Sequence, residues 1–126
     1  MKTYEKPVVS VDTGLAEGVY AASGATQGTL TVTNNSWSED WGATGGKRTF
    51  EANWSGIDGT ITLKLTFNDT ICGVGTNDAS VQTSYFGKTA TLMIPSTMKQ
   101  PFYIFIQLDH GPINNLELTG VDYSVN

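Results

Sequence analysis

An all-β fold, a two-sheet antiparallel β-sandwich of Greek-key, immunoglobulin-like type, is what this sequence predicts, and three observations carry the prediction. Short runs of alternating apolar and polar residues recur from residue 28 to the end of the chain. The cleanest is 60–67, TITLKLTF, with Ile61, Leu63, Leu65 and Phe67 on one side and Thr60, Thr62, Lys64 and Thr66 on the other. Such alternation suits a sheet with one face on a core and one in water. Composition is the second observation: fourteen glycines, many threonines and only 15% charged residues favour strands and turns over helices. Third, turn-forming pairs separate the runs at short, even spacing, among them Asp58-Gly59, Asn68-Asp69 and Gly87-Lys88. At 126 residues the chain suffices for one domain whose core needs no staples. A single cysteine, Cys72, excludes an internal disulfide and any multi-cysteine zinc site.

The first 25 residues read differently from the rest. Residues 4–11 suit a strand, with Pro7 confining it to an edge or a strand start. Leu15, Val19 and Ala22 then fall at i, i+4 and i+7, a weak helical stripe broken by Gly18. The stretch KTYEKPVV…AEGVYAASG resembles the N-terminal segment of small exported proteins of Gram-positive bacteria. That resemblance implies a targeting leader, removed near Ala21-Ala22-Ser23-Gly24-Ala25, and an exported or cell-surface protein. The residues alone favour a first strand and loop of the domain itself, and they lack the positive region and apolar stretch of an ordinary secretory signal. Residues 1–25 therefore stand as leader or first strand plus loop, 26–126 as the sandwich domain, and a cytoplasmic location stays open.

From residue 28 the strands follow one another. Residues 29–34 alternate Leu30 and Val32 with threonines, and Asn34-Asn35-Ser36 reads as the turn that ends them. Residues 37–46, WSEDWGATGG, read as an irregular loop. Residues 47–54 form a strand with Phe50, Ala52 and Trp54 on one face. After 60–67, strands are expected at 71–74, 80–85 and 89–94, with a turn at 75–78 and Pro95 as a stop. Residues 101–108, PFYIFIQL, place Phe102, Ile104, Ile106 and Leu108 on one face and Tyr103, Phe105 and Gln107 on the other. The first set belongs in the core, and the second is expected to be covered by the N-terminal segment or the 37–46 loop. Residues 115–118, a turn at Thr119-Gly120 and residues 121–125 close the chain.

Charge narrows the function classes. The net charge is −5, with seven Lys and Arg spread along the chain, so nucleic acid and anionic lipid find no basic stripe. No apolar run is long enough to insert through a bilayer as a helix. His110 is the only histidine, which rules out a site of two or three imidazoles, and a metal is not expected. Neighbouring strand residues point to opposite faces, so Asp109-His110 does not form an oriented dyad by spacing alone. Cys72 reads as a small buried hydrophobe without a base beside it. Asp69, Asn77 and Asp78 fall in turns and lack the spacing of a calcium loop. Neither an enzyme nor a cofactor is expected.

The remaining constellation is aromatic. Trp37 and Trp41 sit four residues apart in a polar, glycine-rich stretch, with Glu39 and Asp40 between them. Flat indole faces stack on sugar rings, and neighbouring carboxylates can accept hydrogen bonds from hydroxyls. Trp54, in phase with Phe50, reads instead as a core plug. Together with Pro112…Asn115-Leu116-Glu117-Leu118-Thr119-Gly120-Val121, these tryptophans give residues 28–126 a similarity to carbohydrate-binding modules of the cellulose-binding kind. That family commonly carries a terminal disulfide, which this chain cannot form. The resemblance implies a non-catalytic module that contacts glycan or cell-surface polymer through Trp37, Trp41, Glu39, Asp40 and Tyr103. A structural or self-associating surface protein, with a protein partner and no small ligand, is the alternative. Exposed rings at Trp37 and Trp41 favour the first reading; buried rings favour the second.

Overall fold

Ten strands and one short 3-10 turn make up the described part of the computed structural model, residues 19–21 and 28–126. The strands are β1 (Val19–Ala21), β2 (Thr29–Asp40), β3 (Thr44–Ser55), β4 (Thr60–Phe67) and β5 (Gly73–Thr76). They continue with β6 (Gln82–Phe86), β7 (Thr89–Pro95), β8 (Phe102–Leu108), the two-residue β9 (Gly111–Pro112) and β10 (Leu118–Val125). The 3-10 turn, Ile113–Asn115, lies between β9 and β10. Two sheets result, one in the order β1-β2-β3-β8-β5 and one in the order β10-β4-β7-β6. All pairings are antiparallel except that of β9 with β3. The chain crosses between sheets after β3, β4, β5, β7 and β9. β4 and β7 are thus neighbours although β5 and β6 intervene in sequence, which is Greek-key connectivity. The fold is a two-sheet β-sandwich.

Period two decides what is inside. Phe102, Ile104, Ile106 and Leu108 of β8 and Phe50 and Ala52 of β3 face Ile61, Leu63, Leu65 and Phe67 of β4 and Ala90, Leu92 and Ile94 of β7. The Phe50 and Phe67 rings bridge the sheets with centroids 5.5 Å apart. Each buried Leu, Ile or Phe of this set contributes about 1.5–3 kcal/mol by leaving water. Trp54 closes one end of the sandwich as expected: it is buried, edge-on to Phe102 at 6.2 Å, and its indole N–H donates to the Ser96 carbonyl. At the other end the Arg48 guanidinium donates to the carbonyls of Asn114 and Leu116, holding the 3-10 turn.

Several sequence expectations need correction. Residues 37–46 are no irregular loop; β2 runs on to Asp40 and β3 begins at Thr44, so the stretch is the tip of a long hairpin. Asn34-Asn35-Ser36 does not end a strand either. Asn34 pairs with Phe50 and Ser38 with Arg48, leaving residues 35–37 opposite Thr49 alone as a wide bulge. Thr119-Gly120 is a register shift inside β10 and not a turn, and Leu116 precedes that strand. β5 lies two residues later than expected, taking in Gly75 and Thr76, and β6 is likewise displaced to Gln82–Phe86. In the hairpin, in β10 and at Gly75-Thr76, backbone pairing with a neighbouring strand outweighs the local turn propensity; at Ser80-Val81 the turn wins, since Asp78 accepts both N–H groups. Val19–Ala21 pairs with Thr31–Thr33 as a strand, so the helical stripe through Val19 does not form there. The expected strand at 4–11 and the processing point beyond Ala21 lie outside the described residues. Among the described residues no helix is long and apolar enough to cross a membrane.

Candidate functional site

The bulge in β2 is what builds the site. Two antiparallel strands of equal count would present alternate residues to each face; the extra residues at 35–37 push the chain outward at one point. The Asn35 carboxamide oxygen accepts the Trp37 N–H at 2.9 Å and holds that detour in an Asx-type turn. Trp37 thereby reaches the outer face of the six-stranded sheet, where its ring meets Phe105 edge-on at 6.3 Å with an interplanar angle of 72°. Half of Trp37 remains exposed, 50%. Phe105 is the central aromatic of the face, flanked along β8 by Tyr103 and Gln107, all three half-buried. β8 is therefore a central strand covered on one side by the core and partly on the other by the β2 bulge.

Polar groups frame these rings. At one end Glu39 is opposite Lys47, and Lys47 is opposite Gln107. At the other, Glu51 lies opposite Tyr103 and accepts a hydrogen bond from the Asn53 amide at 3.1 Å. Beneath the centre, Thr49 pairs with Phe105 and is 3% exposed, and its hydroxyl finds no hydrogen-bond partner among the described residues. Gly73 and Gly75 of β5 continue the face past Gln107 and Phe105 without side chains. The result is a shallow apolar centre with amide and carboxylate groups at both ends and the Lys47 ammonium at one.

Of the residues singled out by sequence, Trp37, Glu39 and Tyr103 are brought to this face. Trp41 stands at the hairpin tip, 39% exposed, its N–H donating to the Gly45 carbonyl and its own carbonyl accepting the Thr44 hydroxyl. Four residues along an extended chain separate it from Trp37 by about 13 Å. Asp40 is turned to local work, accepting the Gly42 N–H at 2.8 Å. Phe105, Glu51 and Gln107 were not singled out as site residues. The second face of PFYIFIQL carried the signal, but without knowledge of the bulge nothing connected it to Trp37.

The titratable cluster lies elsewhere. His110 bridges two carboxylates, Nδ1 to Asp109 at 2.8 Å and Nε2 to Asp69 at 3.0 Å, at a bend where the strand alternation no longer holds the neighbours apart. Those hydrogen bonds, first Asp109 and then Asp69, raise the His110 pKa, and the His110 contact lowers that of Asp69. The three residues tie the β4–β5 connection to the β8–β9 corner. Burial and the Asp109 charge push the Cys72 thiol up, away from the thiolate. Asp78 accepts Ser80 and Asn77 accepts the Tyr103 N–H, so these turn residues are used locally. Among the described residues no three His, Cys, Asp or Glu gather to hold a metal.

No protein-family model matches the chain, and no curated protein matches it. Among solved structures, the chitin-binding domain of a chitinase from Pyrococcus furiosus is similar to it, at 19% identity and a TM-score of 0.42. The match covers 79% of this chain and 93% of that one.

Proposed function

We propose that the chain is a non-catalytic carbohydrate-binding module that contacts glycan through the outer face of its six-stranded sheet. The observation that carries the reading is the exposed Trp37 ring, propped edge-on against Phe105 in the middle of a face framed by hydrogen-bonding groups. A solvent-facing indole on a shallow sheet suits stacking against the C–H face of a pyranose, while Glu39, Lys47, Glu51 and Gln107 are within the same face to meet hydroxyls. Tyr103 and the tip residue Trp41 extend the contact to either side, with Glu39 and Asp40 between the two tryptophans. The acidic balance of the chain suits neutral sugars.

The test is a fluorescence titration with soluble cello- and chito-oligosaccharides and with other neutral glycans. Binding is expected to change tryptophan emission, and Trp37→Ala is expected to weaken affinity at least tenfold, the loss of about 1.4 kcal/mol or more. Thermal unfolding of the variant should stay near that of the parent, since the residue is half exposed. If no glycan perturbs the emission at millimolar concentration, the proposal fails and the interaction-protein reading takes its place.

A further inference from the structure

A buried hydroxyl lies under the proposed contact face. Thr49 is 3% exposed, and its hydroxyl has no hydrogen-bond partner among the described residues. Strand alternation points it outward: Phe50 and Ala52 enter the core, while Thr49 shares the outer face with Phe105, its direct partner in the ladder. What covers it follows from strand order. β3 lies between β2 and β8, so the Trp37 ring reaches Phe105 only by crossing β3. Thr49 is the residue of β3 that faces both the bulge and Phe105. The indole is therefore the roof over the hydroxyl. Little holds that roof in place. Residues 35–37 make no ladder pairs with β3, and the Trp37 N–H is committed to the Asn35 carboxamide. The ring rests on Phe105 by one edge contact, and half of it already meets water.

We propose that the Trp37 indole is a movable cover and that the Thr49 hydroxyl beneath it is a hydrogen-bonding group for glycan, reached by a sugar hydroxyl once the ring swings aside. The inference rests on the glycan reading above and adds to it a contact residue and an order of events. A stacking sugar replaces the edge contact between Trp37 and Phe105 with contact on the flat indole face, so the ring loses little by moving. The Thr49 hydroxyl gains a partner that it lacks while covered. A buried hydroxyl without a partner is a standing cost, and binding removes it. Donor and acceptor at once, a threonine hydroxyl matches a sugar hydroxyl, which is both as well, and the pair carries no charge. Such a group sets selectivity. A ligand that stacks on Trp37 but offers no hydroxyl leaves Thr49 unpaired and is disfavoured for that reason. Trp37 is then cover and stacking partner in turn.

Variants of the full chain test it, each measured for unfolding in urea and for affinity towards soluble cello- and chito-oligosaccharides. Thr49→Val is expected to unfold at higher urea than the parent yet to bind about five- to tenfold more weakly, the worth of one neutral hydrogen bond. Thr49→Ser keeps the hydroxyl and loses the buried methyl. It is expected to unfold earlier and to bind within about twofold of the parent. Affinity then follows the hydroxyl while stability follows the methyl, an order that a purely structural threonine does not produce. The cover is tested without any ligand. In a Trp37→Ala background water reaches the hydroxyl, and the stability gain of Thr49→Val is expected to vanish. A gain that persists undiminished there, a Thr49→Val variant that unfolds earlier than the parent, or one that binds as well as the parent overturns this proposal alone. A parent that binds none of these sugars overturns the glycan reading and this inference with it.

Discussion

Thr49 is the residue whose environment is hardest to reconcile with stability alone. It is buried under the aromatic face and its hydroxyl is unpartnered among the described residues. A buried hydroxyl without a partner costs about 1–3 kcal/mol, and valine has nearly the same shape. Thr49→Val is therefore expected to raise stability by about 1 kcal/mol in urea unfolding; a loss would show that the hydroxyl is satisfied. His110 makes a second prediction at this scale, and its sign follows from the shifts. Its pKa is raised in the folded protein, so its contribution is complete below the unfolded value of 6.5 and lost as pH rises through the higher folded one. Asp69 is lowered, so its contribution is complete above 3.8 and lost as pH falls through the lower folded value. The clasp is thus at full strength between 3.8 and 6.5. His110→Gln is expected to lower the melting temperature in that window, with the difference from the parent vanishing at alkaline pH. All three side chains are largely exposed, so the effect will be small and will shrink with salt.

The long hairpin of β2 and β3 is the element on which the site depends. Its tip closes through Gly45, at φ 106°, where a Cβ would run into the Leu108 carbonyl, while β9 passes alongside at Gly111 and Pro112. Gly45→Ala is therefore expected to destabilise the protein by about 1–3 kcal/mol and to loosen the tip carrying Trp41, read as faster amide exchange at residues 39–45. This element also shows what the sequence made legible. Alternation revealed the core residues of β4, β7 and β8 because burial on one face imposes period two, and Trp54 followed by phase. A bulge has no periodicity of its own, and the glycines at 45 and 46, needed for close backbone approach, look in one dimension like a flexible loop. Trp37, Glu39 and Trp41 stood out through the composition around them, and Phe105 did not, because its contact with Trp37 arrives across the bulge.

At the scale of the whole molecule, the packed core and the proposed contact face are separate surfaces. The core lies between the sheets, while the Trp37 face looks outward from one sheet and the β6 edge borders the other. Mutations should sort accordingly. Phe67→Ala, at the centre of the core, is expected to cost about 3–5 kcal/mol, while the surviving folded fraction still binds through Trp37. Trp37→Ala should show the reverse pattern. A variant series measured for both unfolding free energy and ligand affinity would reveal any coupling between the two surfaces.

The β2 bulge separates what the hairpin register fixes from what it leaves free. Because register resumes at Ser38 opposite Arg48, residues 35–37 could be lengthened, shortened or rewritten without sliding the hairpin or turning a core side chain outward. If the Trp37 face binds glycan as proposed, specificity could be changed by editing three positions on an otherwise constant frame. The same three positions are where a library aimed at new ligands should be randomised.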